Sequence, residues 1–146
     1  MGKITVVRIM DITHGIPSVL LDSSERAVER RKLYGKAGCH RPTEYGVEYR
    51  VLSNFWFKDP NLVMLISWHL VQDALKVVRE MDHEKIVNDI GEERIRRVIN
   101  GGLKEEAEDI LEKSVKTLLS KDSLYYLDIC MEKIGKHKSI SEEWNL

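Results

Sequence analysis

Cysteine is scarce in this chain: Cys39 and Cys130 are the only two. Two thiols cannot staple a small domain into a disulfide framework, so the cystine-rich secreted class is excluded and a reducing, cytoplasmic setting is expected. Proline is also sparse, at 3 in 146 residues. There is no surplus of charge of one sign, with 24 acids against 23 bases. A general, charge-driven nucleic-acid binder needs a net cationic surface to displace counterions, so nucleic acid is not an expected partner. Long apolar runs are lacking too. The most apolar stretch, 62–71, contains Ser67 and His69 and is too short to span a bilayer. The opening MGKITVVRIMDITHGIPSV has no long apolar core ahead of a cleavage site, so neither a secretory signal nor a membrane partner is expected.

What is present describes a folded protein. Hydrophobic residues make up 42% and charged residues 32%, and the length suits one domain over 1–146 with a single core. The tail HKSISEEWNL, 137–146, is expected to fray. Charge is uneven along the chain. Residues 25–50 hold more bases than acids, whereas 51–146 hold more acids than bases. This pattern reads as a basic functional segment followed by an acidic helical scaffold.

The apolar spacing over 4–21 predicts a helix, kinked or restarted near Pro17. Ser23 or Ser24 can cap the next helix and Gly35 can stop it. Residues 35–45, GKAGCHRPTEY, read as loop. The alternation in GVEYRVLS predicts a strand about 46–53, with Val47, Tyr49 and Val51 on one face and Glu48, Arg50 and Leu52 on the other. Asp59-Pro60 is an N-cap followed by proline at the first helical position. Val63, Ile66, Leu70, Ala74, Val77 and Met81 then keep helical spacing, widened by Leu62, Leu65 and Leu75, and predict a heavily buried helix. One or two short helices over 83–99, an amphipathic helix from Leu103 to Leu119, and a last helix from about Ser123 to Ile134 complete the reading. The fold class is α+β and helix-rich, a short strand packed on four or five helices. A lone strand leaves its ladder groups unpaired, so a second stretch of this chain or of another chain must meet it.

The chemistry-bearing residues cluster around that strand. Glu48 and Arg50 share a face, about 6–7 Å apart along the strand. The preceding loop adds Lys36, Arg41 and backbone N–H groups beside Gly35 and Gly38. A carboxylate among cations with glycines nearby suits a metal–phosphate site, because Mg²⁺ takes one or two carboxylates plus phosphate oxygens and Arg forks phosphates. The same pattern also describes a strand whose outer face carries a mutually neutralising Glu/Arg pair.

The stretches IMDITHGIPSVLLD, RRKLYGKAGCHRP and YGVEYRVLSNFWFKDPNLV resemble the bacteriophage-type carboxylate–amine ligases, amidoligases of the glutamine-synthetase-like superfamily. The resemblance rests on the long spacing YGKAG…RP…YGVEYR…SNFW and spans roughly 9–110. It implies ATP- and Mg²⁺-dependent joining of a carboxylate to an amine through an acyl phosphate. By this resemblance Glu48 is a Mg²⁺ ligand near the ATP phosphates. Arg50 contacts the transferred phosphoryl group, and Arg41 holds a phosphate or the substrate carboxylate. Arg31 and Lys36 are further contacts to substrate or nucleotide. There are departures. Cys39-His40 stand where an aromatic is usual before the loop arginine, and Thr43-Glu44 replace a Lys-Pro pair. The E-x-E and H-x-H metal strands of the superfamily's N-terminal half are not found. The chain thus resembles the C-terminal half of such a domain. It is expected to act with a protein partner supplying the other half, to share a site across a homo-oligomer, or to persist as a catalytically degenerate, partner-binding remnant.

Other residues favour plainer readings. Cys39 beside His40 lacks a third group to orient a nucleophile. His69 reads as a packed helix histidine, and Trp56, in SNFWF, as aromatic core between strand and long helix. The basic helix within ERAVERRKLYGKAGCHR raises a helix-turn-helix alternative, which Glu25, Glu29 and the lack of a suitably spaced second helix oppose.

Overall fold

The N-terminal apolar residues do form one long helix. The computed structural model describes residues 2–22 and 25–143, and helix α1 spans Lys3–Leu21. It is α-helical over Lys3–Met10 and Ile16–Leu21, with a π-helical turn, Asp11–Gly15, between them. The break expected at Pro17 is absorbed instead of ending the helix. Proline lacks a donor and crowds the carbonyl one turn back. A widened turn just ahead of it changes that pairing, and the axis continues. By length and composition α1 could cross a membrane, but 67% of its apolar window is buried inside the protein. It is the central helix of the core.

Helix α2, Glu25–Leu33, follows; Ser23 and Ser24, the expected caps, lie outside the described residues. Strands β1, His40–Pro42, and β2, Val47–Tyr49, come next, then a 3₁₀ turn, Phe55–Lys58. Helix α3 covers 60–80 and contains a second π-helical turn, Leu65–His69. Helices α4, His83–Ile90, α5, Glu92–Gly101, and α6, Lys104–Lys113, lead through a 3₁₀ turn, Val115–Leu118, to α7, Lys121–Glu143. The backbone of α7 thus continues into the stretch for which fraying was expected, and 144–146 lie outside the described residues. The protein is helix-rich with a small sheet, but the described residues form seven helices where four or five were expected, and the helix expected over Leu103–Leu119 stops at Lys113 before the 3₁₀ turn.

Two expectations need correction. The strand is shorter than 46–53, and its partner lies in the segment read as loop. β1 and β2 pair antiparallel with His40 opposite Tyr49, Arg41 opposite Glu48 and Pro42 opposite Val47. The turn closes through Thr43 N–H on the Gly46 carbonyl, and Arg50 N–H on the Cys39 carbonyl extends the ladder. No other chain is needed to pair β2. Alternation missed β1 because a proline stands at its end, tolerated where its missing donor breaks no central ladder.

Burial follows the helical stripes. Val7, Ile9, Ile12, Ile16, Val19 and Leu21 of α1 are buried with Leu70, Ala74 and Val77 of α3, with Ile95, Val98 and Ile99 of α5, and with Ala107, Ile110 and Leu111 of α6. Each buried Val, Ile or Leu here contributes about 1.5–3 kcal/mol through area removed from water. On α3 the expected Leu65, Ile66, Leu70, Ala74 and Val77 are buried and Val78 joins them, whereas Met81 lies just past the helix end and is exposed. His69 stacks on Tyr126, with ring centroids 4.9 Å apart, in keeping with a packed helix histidine. The buried Asp73 of α3 accepts from Ser120 N–H and the Ser123 hydroxyl, tying α3 to the start of α7.

The N-cap at Asp59 forms as expected. Its carboxylate accepts from Asn61 N–H at 2.8 Å and Leu62 N–H at 3.4 Å, and Lys133 pairs with it at 3.2 Å. Asp59→Ala is expected to lower stability by about 1 kcal/mol, read as a shift in urea midpoint with unchanged slope.

Candidate active site

The hairpin register brings three of the expected site residues together. Arg41 and Glu48 face each other across the strands, and the Arg41 guanidinium meets Glu48 Oε2 at 2.7 Å. Arg50 Nε lies 3.5 Å from Glu48 Oε1. All three side chains are substantially exposed, so the pairs are screened and weakly held. Such a resting arrangement is easily exchanged: an incoming anion can take either guanidinium from Glu48. Glu48→Gln is expected to change stability by less than about 1 kcal/mol, measured by chemical denaturation.

A divalent cation fits this cluster poorly. Both Glu48 oxygens face guanidiniums, and among the described residues no group of three or more His, Cys, Asp or Glu is placed to hold a metal ion. A lone carboxylate flanked by two cations is short of the oxygen ligands that Mg²⁺ requires.

The remaining expected residues lie apart. Lys36 is exposed on the loop before β1. Arg31 is buried, at 4% exposure, with Nη2 donating to the Ser18 carbonyl at 3.4 Å. Burial pushes its pKa down, opposed by the charge of Asp22. Arg30 also turns inward, with Nη1 on the Val51 carbonyl at 2.7 Å and Nη2 on the Arg50 carbonyl at 3.2 Å. Helix α2 therefore spends two of its arginines on the protein itself, which weakens the reading of it as a helix laid on nucleic-acid phosphates. Cys39 and His40 are occupied locally: the thiol donates to the Tyr34 carbonyl and His40 Nδ1–H to the Gly38 carbonyl. No nucleophile–base pair forms there.

Behind the hairpin lies a second polar group that the sequence reading missed. Tyr49 points inward from β2, and its hydroxyl donates to Asp11 Oδ1 at 2.6 Å. The same oxygen accepts from Gly38 N–H at 3.0 Å, while Ala37 N–H donates to Asn100 Oδ1 at 2.7 Å. Gly38 sits at φ +78°, a conformation glycine adopts without steric penalty and other residues resist. That conformation aims its N–H at the carboxylate. Gly35 is required by close approach: a Cβ there would lie 2.8 Å from the Val51 carbonyl oxygen and closer still to the Arg30 guanidinium. The glycines of YGKAG thus place the loop against α1 and α2. Burial raises the Asp11 pKa to about 6 against the lowering effect of Tyr49 and Gly38. Burial, then the neighbouring Asp11, pushes the Tyr49 hydroxyl up.

His14, one turn on from Asp11, is fully enclosed. Its Nε2 lies 3.1 Å from the Ile66 carbonyl and its Nδ1 2.8 Å from the Thr13 hydroxyl. A carbonyl only accepts, so the proton sits on Nε2, and Nδ1 accepts from Thr13. Burial lowers the His14 pKa to about 4, so the ring is neutral at physiological pH. Both ring nitrogens are used, and His14 is a structural link between the two π-helical turns. Beside it opens a cavity of about 650 Å³ between α1, α2, the exit of β2 and α3, lined by Arg30, Tyr49 and Trp56 among others. One signal for Asp11 was legible: a lone carboxylate within the apolar stripe of Ile9, Ile12 and Ile16. None was legible for Arg30, whose partners lie about twenty residues away, just past the end of β2.

Comparison with known proteins gives one match. The family model described as phage phiEco32-like COOH.NH2 ligase-type 2 covers residues 2–146. No curated protein and no solved structure matches.

Proposed function

Because the chain belongs to the phage phiEco32-like COOH-NH2 ligase type 2 family, we propose that it joins a carboxylate to an amine at the expense of ATP, in the cytoplasm, with the exposed face of the hairpin as its phosphate-handling surface. The observation that carries this reading is the Arg41–Glu48–Arg50 cluster, two exposed guanidiniums held loosely by one carboxylate. In the proposed reaction a carboxylate oxygen attacks the γ-phosphorus of ATP and ADP leaves, giving an acyl phosphate. The amine nitrogen then attacks the carbonyl carbon, the C–O bond to phosphate breaks, inorganic phosphate departs, and the nitrogen gives up a proton to solvent. Negative charge develops on phosphoryl oxygens in the first step and on the carbonyl and departing phosphate in the second. Arg50 and Arg41 are the chain's own groups suited to stabilise that charge.

Mg²⁺ is proposed as the accompanying ion, with Glu48, once released from its guanidiniums by an incoming anion, as a donor from this chain. Its scant ligand set supports a site completed by other donors, from a partner chain carrying the rest of a glutamine-synthetase-like domain or from a second copy. The same scarcity favours, as a second reading, a non-catalytic member that binds a partner. Calorimetric titration of Mg²⁺ and a non-hydrolysable ATP analogue into the protein, with Arg50→Ala as control, tests the proposal. Saturable binding that the variant loses is expected. Identical heats for both proteins would remove Arg50 from the nucleotide site.

A further inference from the structure

The cavity beside His14 is chemically unlike the hairpin's outer face. Among the described residues that line it, Arg30 is the one charged side chain; none is a carboxylate or lysine. The Arg30 guanidinium donates to two backbone carbonyls, and among the described residues it makes no ion pair. A part-buried guanidinium with neutral partners keeps an unneutralised charge and spare N–H donors. The rest of the wall is apolar or neutral. Trp56 and Phe57 form an aromatic side, with ring centroids 4.2 Å apart, and His14 is neutral with both nitrogens engaged. The cavity also lies where the two π-helical turns meet, through His14 of one and the Ile66 carbonyl of the other. Such turns recur at functional sites because they break the regular helix face. A volume of about 650 Å³ falls within the range of small-molecule sites.

We infer that this cavity binds a small monocarboxylic acid with an apolar or aromatic body, its carboxylate on Arg30 and its body against Trp56 and Phe57. One cation matches one negative charge. A nucleoside triphosphate, carrying several charges, would leave most of them unpaired in a largely apolar site. A guanidinium already fixed by two carbonyls is pre-organised, so less rotamer freedom is lost when the acid binds. The inference deepens the ligase reading by giving the acid substrate a chemical class, but the binding itself requires neither ATP nor turnover.

The test uses the whole protein and 3-phenylpropionate as probe, followed by ¹H–¹⁵N spectra. The Trp56 indole resonance is assigned with Trp56→Phe. Saturable shifts at Trp56 and around Tyr49 are expected, without comparable shifts at Trp68, which lies outside the cavity. The uncharged isostere 3-phenylpropionamide should bind at least tenfold more weakly, because it lacks the charge that Arg30 recognises. This comparison leaves the protein unaltered, so it does not depend on an Arg30 variant folding. Equal binding of acid and amide would overturn the assignment, as would binding of neither or tighter binding of AMP at the same resonances. Any of these leaves the ATP titration with Arg50→Ala untouched, so failure here and failure of the ligase reading are separate results.

Discussion

Arg50→Ala is expected to lower ligation turnover by about 100- to 1000-fold, the scale seen when one fixed donor to a developing oxyanion is removed. The argument rests on how little else that side chain does. It is about half exposed, and among the described residues its one ion pair is the 3.5 Å contact to Glu48. The backbone around it is held without it: Arg50 N–H bonds the Cys39 carbonyl, and Arg30 grips the Arg50 and Val51 carbonyls. Truncating Arg50 should therefore leave stability within about 1 kcal/mol and remove mainly a cation from the phosphate-facing surface. ADP and phosphate release by the assembled enzyme, with urea unfolding alongside, separates the two effects. Unchanged turnover would remove Arg50 from the reaction. Arg30→Ala is the contrasting control and should destabilise the fold, because it frees two carbonyls at the exit of β2.

The second large effect concerns pH. Burial disfavours the charged forms of both Asp11 and His14, and their linkages have opposite signs. The Asp11 pKa is raised from 3.8 to about 6. The folded state thus binds its proton more tightly than the unfolded chain, and stability falls as pH rises from about 4 to 6. The full loss, about 3 kcal/mol, is present above that window. The His14 pKa is lowered from 6.5 to about 4, so stability falls as pH drops through that interval, again by about 3 kcal/mol. Between pH 4 and 6 the two nearly cancel. Asp11→Asn keeps an acceptor for Tyr49 and Gly38 and removes the titration. The variant is expected to be the more stable protein at pH 7, by up to about 3 kcal/mol. The advantage should vanish toward pH 4, leaving the His14 slope exposed. Urea midpoints of the two proteins across pH 4–8 give the difference directly. A variant less stable than the parent at pH 7 would mean that the ionised Asp11 is held by contacts stronger than its burial penalty.

Both predictions rest on residues that the sequence disclosed unequally. Glu48, Arg50 and Arg41 were legible because alternation puts Glu48 and Arg50 on one face and the family's motif spacing marks the loop arginine. Arg31 and Lys36 were named from the same motif, yet Arg31 is enclosed against Ser18 and Lys36 stands apart on the surface. Counting bases along α2 does not reveal which of them turn inward. Asp11 and Tyr49 were not picked out as a pair, since nothing local links residues 38 positions apart.

Most of the helical segments, the Asp59 cap, the outward side of β2 and the family could be read from the string of residues alone, although the number and ends of the helices could not. Helix stripes, caps and alternation are set by neighbours a few residues away, and a motif is a string. The folded chain was needed to show that Pro17 is absorbed by a π turn, that β2 pairs with His40–Pro42, that Asp11 is buried beneath Tyr49 and Gly38, and that, among the described residues, Arg30 is the one charge on an aromatic-lined cavity. Each of these depends on which distant surfaces meet when the core closes. That choice is made by packing and by pairing buried polar groups, which no local pattern records.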